Sequence, residues 1–325
     1  MAAQISSLRV LARGVSLNGA PTLWDVSRRS HVAAWRVFNS MLDTVFYDVG
    51  ALSLHERARL AAYARPEGSI LIVYPADAGE TIRVLTPAAF VREQLARRSD
   101  PVATVVIAGV GSSAIGTAAL ARDVADYLGT PVAGIVSGFG LADAVSEALA
   151  GWFVFGATNA LREAVARFLD ASALEDHVRD PETHSDLKAH VAPADTPKER
   201  FLYGSPDSTT LLYLLSKLGD RLQLLVGHSK GNYSIENALE GWAGPSNGHL
   251  DIVTLGAVIW FPPQFVNLQQ FIGDIDYFGM LNSRIFVQRI GVPGAWHSLN
   301  TALPGHLSVR SALDVVSRLG ALQHA

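Results

Sequence analysis

Three side-chain types together turn a hydroxyl into a nucleophile near neutral pH: a serine, an imidazole that takes its proton, and a carboxylate that holds the imidazole. The serine stands in Leu222–Asn232, LQLLVGHSKGN, where Gly227-His228-Ser229-Lys230-Gly231 follows an apolar run and precedes an amphipathic one. A G-x-S-x-G between strand and helix has a physical purpose. The serine at the sharp turn takes strained backbone geometry, and glycines on either side remove Cβ atoms that would clash there. The turn lifts the hydroxyl clear of the sheet edge. The helix behind it aims its first N–H groups and positive dipole end at a developing oxyanion. Without a base, the same five residues would be only a tight turn with a buried hydroxyl.

Acid and base are expected after the serine in that order. The strand after the turn, Ile252–Phe261, ends in Pro262-Pro263-Gln264 and offers no acid. The next ends Phe271-Ile272-Gly273-Asp274-Ile275-Asp276, where Asp276 is the expected orienting carboxylate and Asp274 its competitor. A last strand, Arg284–Ile290, runs into a Pro/Gly loop that carries His297, the expected base; His306, in Leu303-Pro304-Gly305-His306-Leu307, is the alternative. Whichever histidine is not the base lines the pocket or caps the following helix. His228 is expected to pack or hydrogen-bond beneath the turn. The oxyanion needs two backbone donors. One is the N–H of Lys230; the other comes from Gly109-Val110-Gly111, with Val110 first and Gly111 next. The chemistry does not require the Lys230 side chain, which is expected on the surface.

These residues need a scaffold. From Pro101 the chain alternates apolar strands and helices: strand Ala103–Ala108, an alanine-rich helix Ala114–Leu128, strand Val132–Val136, helix Ser208–Leu218, strand Leu222–Val226 and a helix from Asn232 to about Trp242. Such succession predicts an α/β fold, a mainly parallel sheet with helices on both faces. Ser69–Tyr74 (SILIVY) is a further buried strand after the break at Pro66-Glu67-Gly68. Residues 1–65 are expected to form a helical extension to the 66–325 core, with Trp35, Phe38, Leu42 and Val45 as an apolar stripe packed on the core. Residues 141–204 are expected to be an insertion, apolar and helical at first around Trp152, Phe153 and Phe155, then charged. Its position before the serine strand suits a lid, with Trp152 and Phe155 lining an acyl pocket.

Composition narrows the classes. The chain has 325 residues, 49% apolar and only 17% charged, against about 25% charged in an average soluble protein, so a large core is expected. A net charge of −4 gives no field for nucleic acid. No run of ~20 uncharged apolar residues suggests a membrane span, and Met1–Val15 lacks a signal-peptide pattern, which points to the cytoplasm. The absence of cysteine excludes disulfides, thiolate metal sites and a cysteine nucleophile. No histidine and carboxylate set has zinc spacing; His184 and His190 lie in the charged insertion. Gly109–Ala114 satisfies G-x-G-x-x-A, but the strand after it ends Val136-Ser137-Gly138 without the acid that an adenosine ribose needs.

On the GHSKG turn and the order Ser229, Asp276, His297, the chain resembles the α/β-hydrolase superfamily, and the turn resembles those of lipase relatives. The resemblance spans roughly residues 101–140 and 205–310. It implies a serine hydrolase that needs no cofactor and no metal, with carboxylic esters as the commonest substrates. Two departures bear on specificity: Ala108-Gly109 stands where His-Gly is usual, and Lys230 stands inside the turn. Polyhydroxyalkanoate synthases share this architecture but use cysteine, so a depolymerase of such polyesters stays open while a synthase does not. The expected substrate is a small or lipid-like ester with an apolar acyl or alcohol group. The alternative is a catalytically silent member of the fold that binds a lipid, a polyester granule or a protein partner, with peripheral contact to a membrane or granule.

Overall fold

The computed structural model describes residues 42–60, 67–97, 101–109, 112–137, 206–242, 249–284 and 286–319. Eight strands form one sheet: β1 Ile70–Val73, β2 Arg83–Leu85, β3 Thr104–Ile107, β4 Val132–Ile135, β5 Leu224–His228, β6 Asp251–Leu255, β7 Leu268–Gly273 and β8 Ile290–Val292. Their order is β2-β1-β4-β3-β5-β6-β7-β8. β1 runs antiparallel to both neighbours, and the six strands from β4 to β8 are parallel. The seven labelled helices are α1 Leu54–Arg59, α2 Pro87–Ala96, α3 Ala114–Leu128, α4 Pro206–Leu218, α5 Lys230–Gly241, α6 Tyr277–Leu281 and α7 Val309–Arg318.

The central strands are buried at every position because both faces are covered. Alternate side chains sort the core in two. Val106, Val226, Val253 and Leu255 pack with Tyr47, Leu52, Leu60 and the inner faces of α3 and α7. Val105, Ile107, Leu225 and Ile252 pack with α2, α4 and α5 on the other side.

β3 is the pivot. The chain goes from β3 to β4 on one side and then returns to β5 on the other. This leaves a crevice at the carboxyl ends of β3 and β5, where open α/β sheets bind ligands. The registers set what meets there. Ile107 lies opposite Gly227 and His228 opposite Leu255, so the residues just past each strand, Gly109, Ser229 and Gly256, become neighbours.

Several sequence expectations shift. The serine strand runs on to His228, and β6 stops at Leu255 instead of continuing to Phe261, because Gly256 turns the chain at φ 72°. The last strand is Ile290–Val292; within the span expected for it, Phe286 is 91% exposed. Residues 42–46 are helical, but the stripe is turned: Val45 is 38% exposed, while Asp43 is buried. Trp35, Phe38 and the 141–204 insertion lie outside the described residues. Among the described residues no helix is long and apolar enough to cross a membrane.

Candidate active site

Ser229 has φ 53° and ψ −117°, and among the described residues it is the one non-glycine residue at positive φ. Such strain persists only where the surroundings over-determine it. Its N–H donates to the Leu255 carbonyl at 2.9 Å, and its own carbonyl accepts from Asn232 N–H at 3.1 Å. The Asn232 side chain donates to the carbonyls of Leu255 and Ala257, at 3.1 and 2.9 Å, fixing the chain as it leaves β6. The turn glycines permit close approach on two sides. A Cβ at Gly231 would collide with the Ile107 carbonyl, and one at Gly227 would collide with Asn232 and Ile235 of α5. The helix therefore lies hard against the strands, with the serine forced to the top.

Asp276 and His297 meet directly. His297 Nδ1–H donates to both Asp276 oxygens, at 2.8 and 2.9 Å, and the carboxyl is wholly buried. Asp276 also caps α6, accepting from Gly279 N–H at 2.7 Å. Its short helix and the orientation of the imidazole are thus set by one carboxylate. The His297 loop reaches back across the end of β7 because Gly273 lacks a Cβ that would strike the Ala295 carbonyl. It is stitched to the segment before β1: Leu299 N–H to Phe46 O at 2.8 Å, Ser298 Oγ to Val45 O at 2.6 Å and Asn300 Nδ2 to Thr44 O at 2.7 Å. A Cβ on Gly256 would lie 3.1 Å from His297 Cε1 and 3.1 Å from His228, which places His297 beside the residue that follows Leu255, the partner of Ser229 N–H.

The alternatives are engaged elsewhere. Asp274 is exposed and accepts from Gly294 N–H at 2.7 Å. His306 Nδ1–H donates to Leu303 O at 2.9 Å within its own turn. His228 lies beneath the serine as expected. Lys230 corrects its expectation: the side chain is only 14% exposed and its Nζ lies 3.7 Å from Asp207 Oδ2. Asp207, in the first turn of α4, also accepts from Ser234 Oγ at 3.0 Å, so the lysine is held by helix packing instead of solvent. Val110 and Gly111, the expected oxyanion donors, lie outside the described residues, as do Trp152 and Phe155. Gly109 N–H is committed to Tyr47 Oη at 2.6 Å.

Two residues of the neighbourhood escaped the sequence reading. Tyr47 is buried between Gly109 and His228. Asp43 sits at the N-terminus of α3 and accepts from Ser113 N–H at 3.1 Å and Gly116 N–H at 3.2 Å. That carboxyl takes the N–H groups a pyrophosphate would need, against the G-x-G-x-x-A reading. Neither residue belongs to a local motif; the one signal was a polar Asp43 inside an apolar helical stripe. Among the described residues no set of three or more histidines and carboxylates is placed to hold a metal ion. No protein-family model, curated protein or solved structure matches the chain.

Proposed function

We propose that the chain is a serine hydrolase of the α/β-hydrolase type that cleaves a carboxylic ester with an apolar acyl or alcohol group. The observation that carries this is the buried His297–Asp276 pair at the same sheet edge as a serine held at φ 53°, with Gly256 packed on His297 and Leu255 bonded to Ser229 N–H. In the reaction, Ser229 Oγ attacks the ester carbonyl as His297 Nε2 removes its proton. The Lys230 N–H, with Val110 or Gly111 as second donor, holds the oxyanion. His297 returns the proton to the departing alkoxide, and water, activated by the same imidazole, releases the acid. Asp276 keeps the imidazole in the Nδ1–H tautomer and stabilises its cation.

Apolar specificity is supported by α6. Tyr277, Phe278 and Leu281 are exposed there, and the Phe278 ring centroid lies 6.2 Å from that of His297. Burying each methylene is worth about 0.8 kcal/mol, so two more acyl carbons should improve kcat/KM roughly tenfold until the surface is covered. Phe278→Ala should flatten that slope on a nitrophenyl-ester series while leaving acetate turnover nearly unchanged.

The deciding experiment is labelling with a fluorophosphonate, mapped by peptide mass spectrometry. Wild type should label at Ser229 and Ser229→Ala should not, with the fold intact by circular dichroism. A well-folded wild type that neither labels nor turns over any ester would leave the silent binding reading instead.

A further inference from the structure

His228 is wholly enclosed, and both of its nitrogens are used. Nε2 lies 3.0 Å from the His297 carbonyl oxygen, and Nδ1 lies 2.9 Å from Tyr47 Oη. A carbonyl only accepts, so Nε2 carries the hydrogen. Nδ1 is then the acceptor, and Tyr47 O–H donates to it. The phenol oxygen in turn accepts from Gly109 N–H at 2.6 Å. The result is one directional chain: Gly109 N–H to Tyr47 Oη, Tyr47 O–H to His228 Nδ1, His228 Nε2–H to the His297 carbonyl. It begins at Gly109, just past β3, where an added Cβ would lie 3.0 Å from Ser229 Cβ, and ends on the backbone of His297.

We infer that Tyr47 and His228 are positioning residues for turnover, a hydrogen-bonded bridge that fixes the loop after β3 and the His297 loop relative to each other through the neutral Nε2–H tautomer of His228. The inference rests on the hydrolase reading. The reverse tautomer would set a bare Nε2 against the His297 carbonyl, two acceptors 3.0 Å apart with no hydrogen between them. A cationic His228 would place charge on a ring whose centroid is 4.8 Å from that of His297, which must itself become cationic in the reaction. Burial, and then the charge of His297, hold His228 well below the ordinary histidine range. A packing role would need only the shape of the ring; the bridge needs its donor and its acceptor.

The tautomer is read first on the wild-type protein, by long-range proton–nitrogen correlation of the histidine rings near neutral pH. A protonated Nε2 and a bare Nδ1 are expected at His228; a protonated Nδ1 or a cation overturns the bridge. Kinetics then use three variants on a nitrophenyl ester, well below their melting temperatures. Tyr47→Phe keeps the ring and removes the hydroxyl, and should lower kcat about ten- to a hundredfold with KM nearly constant, the loss expected for stranding buried hydrogen-bonding groups. His228→Leu should lose at least as much. His228→Gln, which offers one donor and one acceptor, should recover most of that loss. Wild-type kcat in Tyr47→Phe and His228→Leu, or equal losses in the leucine and glutamine variants, overturns the proposal. A wild type that neither labels with fluorophosphonate nor turns over removes the hydrolase reading and this role with it. A labelled wild type with indifferent variants removes the bridge alone.

Discussion

At the scale of single residues, the imidazole of His297 has Nδ1 committed to Asp276, and the proposed function assigns proton transfer to Nε2. An amide at position 276 would keep the size of the acid, lose the charge that stabilises the imidazolium and favour the wrong tautomer. Asp276→Asn should therefore cost on the order of 10³–10⁴ in kcat with little change in KM. His297→Ala should cost at least 10³, whereas His306→Ala should change kcat by less than about threefold, because its Nδ1 is spent on Leu303 within its own turn. Steady-state kinetics on one chromogenic ester rank all three; a reversed order of the two histidines would transfer the base to position 306. The pairing of Asp276 with His297 was readable because both follow apolar strands at the same sheet edge. The parts of Tyr47 and Asp43 were not: Tyr47 meets His228 across 181 positions and Asp43 meets Ser113 across 70, and no spacing rule spans such distances.

At the scale of elements, the capped helices differed in legibility: α2 and α7, capped by Thr86 and Ser308, were not read, whereas α3 was readable to the residue. α3 matches its expected span because Ser113 caps it at Ile115 N–H and Gly129 ends it in the left-handed region. Strand ends were less legible because they depend on neighbours: β6 ends where Gly256 turns, and β2, too short to show a period, was not read at all. Helix–helix contacts were the least legible, as Lys230 shows. A lysine inside a turn motif looks solvated, yet here it reaches a buried acid on α4. A buried pair is a weak net source of stability, while breaking it strands a charge. Asp207→Ala should thus lower stability by about 3–5 kcal/mol, and Asp207→Ala with Lys230→Met should recover much of that loss. Urea midpoints at constant m-value give the cycle. If the double variant is as unstable as the sum of the singles, the two helices do not meet through this pair.

At the scale of the whole molecule, the segment before β1 is a clamp. It caps α3 through Asp43, braces Gly109 through Tyr47 and holds the His297 loop through the carbonyls of residues 44–46. Burial pushes the Asp43 carboxyl up to about 7 from 3.8, against the opposing hydrogen bonds from Ser113, Ser112 and Gly116. The folded chain therefore keeps a proton there that the unfolded chain has already released. Its stabilising effect is whole below about pH 4, falls as pH rises by up to about 1.4 kcal/mol per unit, and is gone above about pH 7. Asp123, raised to about 8 by burial and then by Asp48 and Asp126, acts in the same sense. Glu93, lowered chiefly by its hydrogen bond from Arg83, loses its contribution only in acid, while neutral buried His228 opposes the slope below the ordinary histidine range. The readout is thus the difference between two proteins instead of one raw curve. Asp43→Asn keeps an oxygen to accept from Ser113 and Gly116 but cannot ionise. Relative to wild type its melting temperature should gain steadily from pH 5 to pH 7 and then hold level. A difference that stays flat over that interval, or that shrinks, would mean that the α3 N-terminus holds Asp43 as a carboxylate, and that the dipole and four hydrogen bonds outweigh burial.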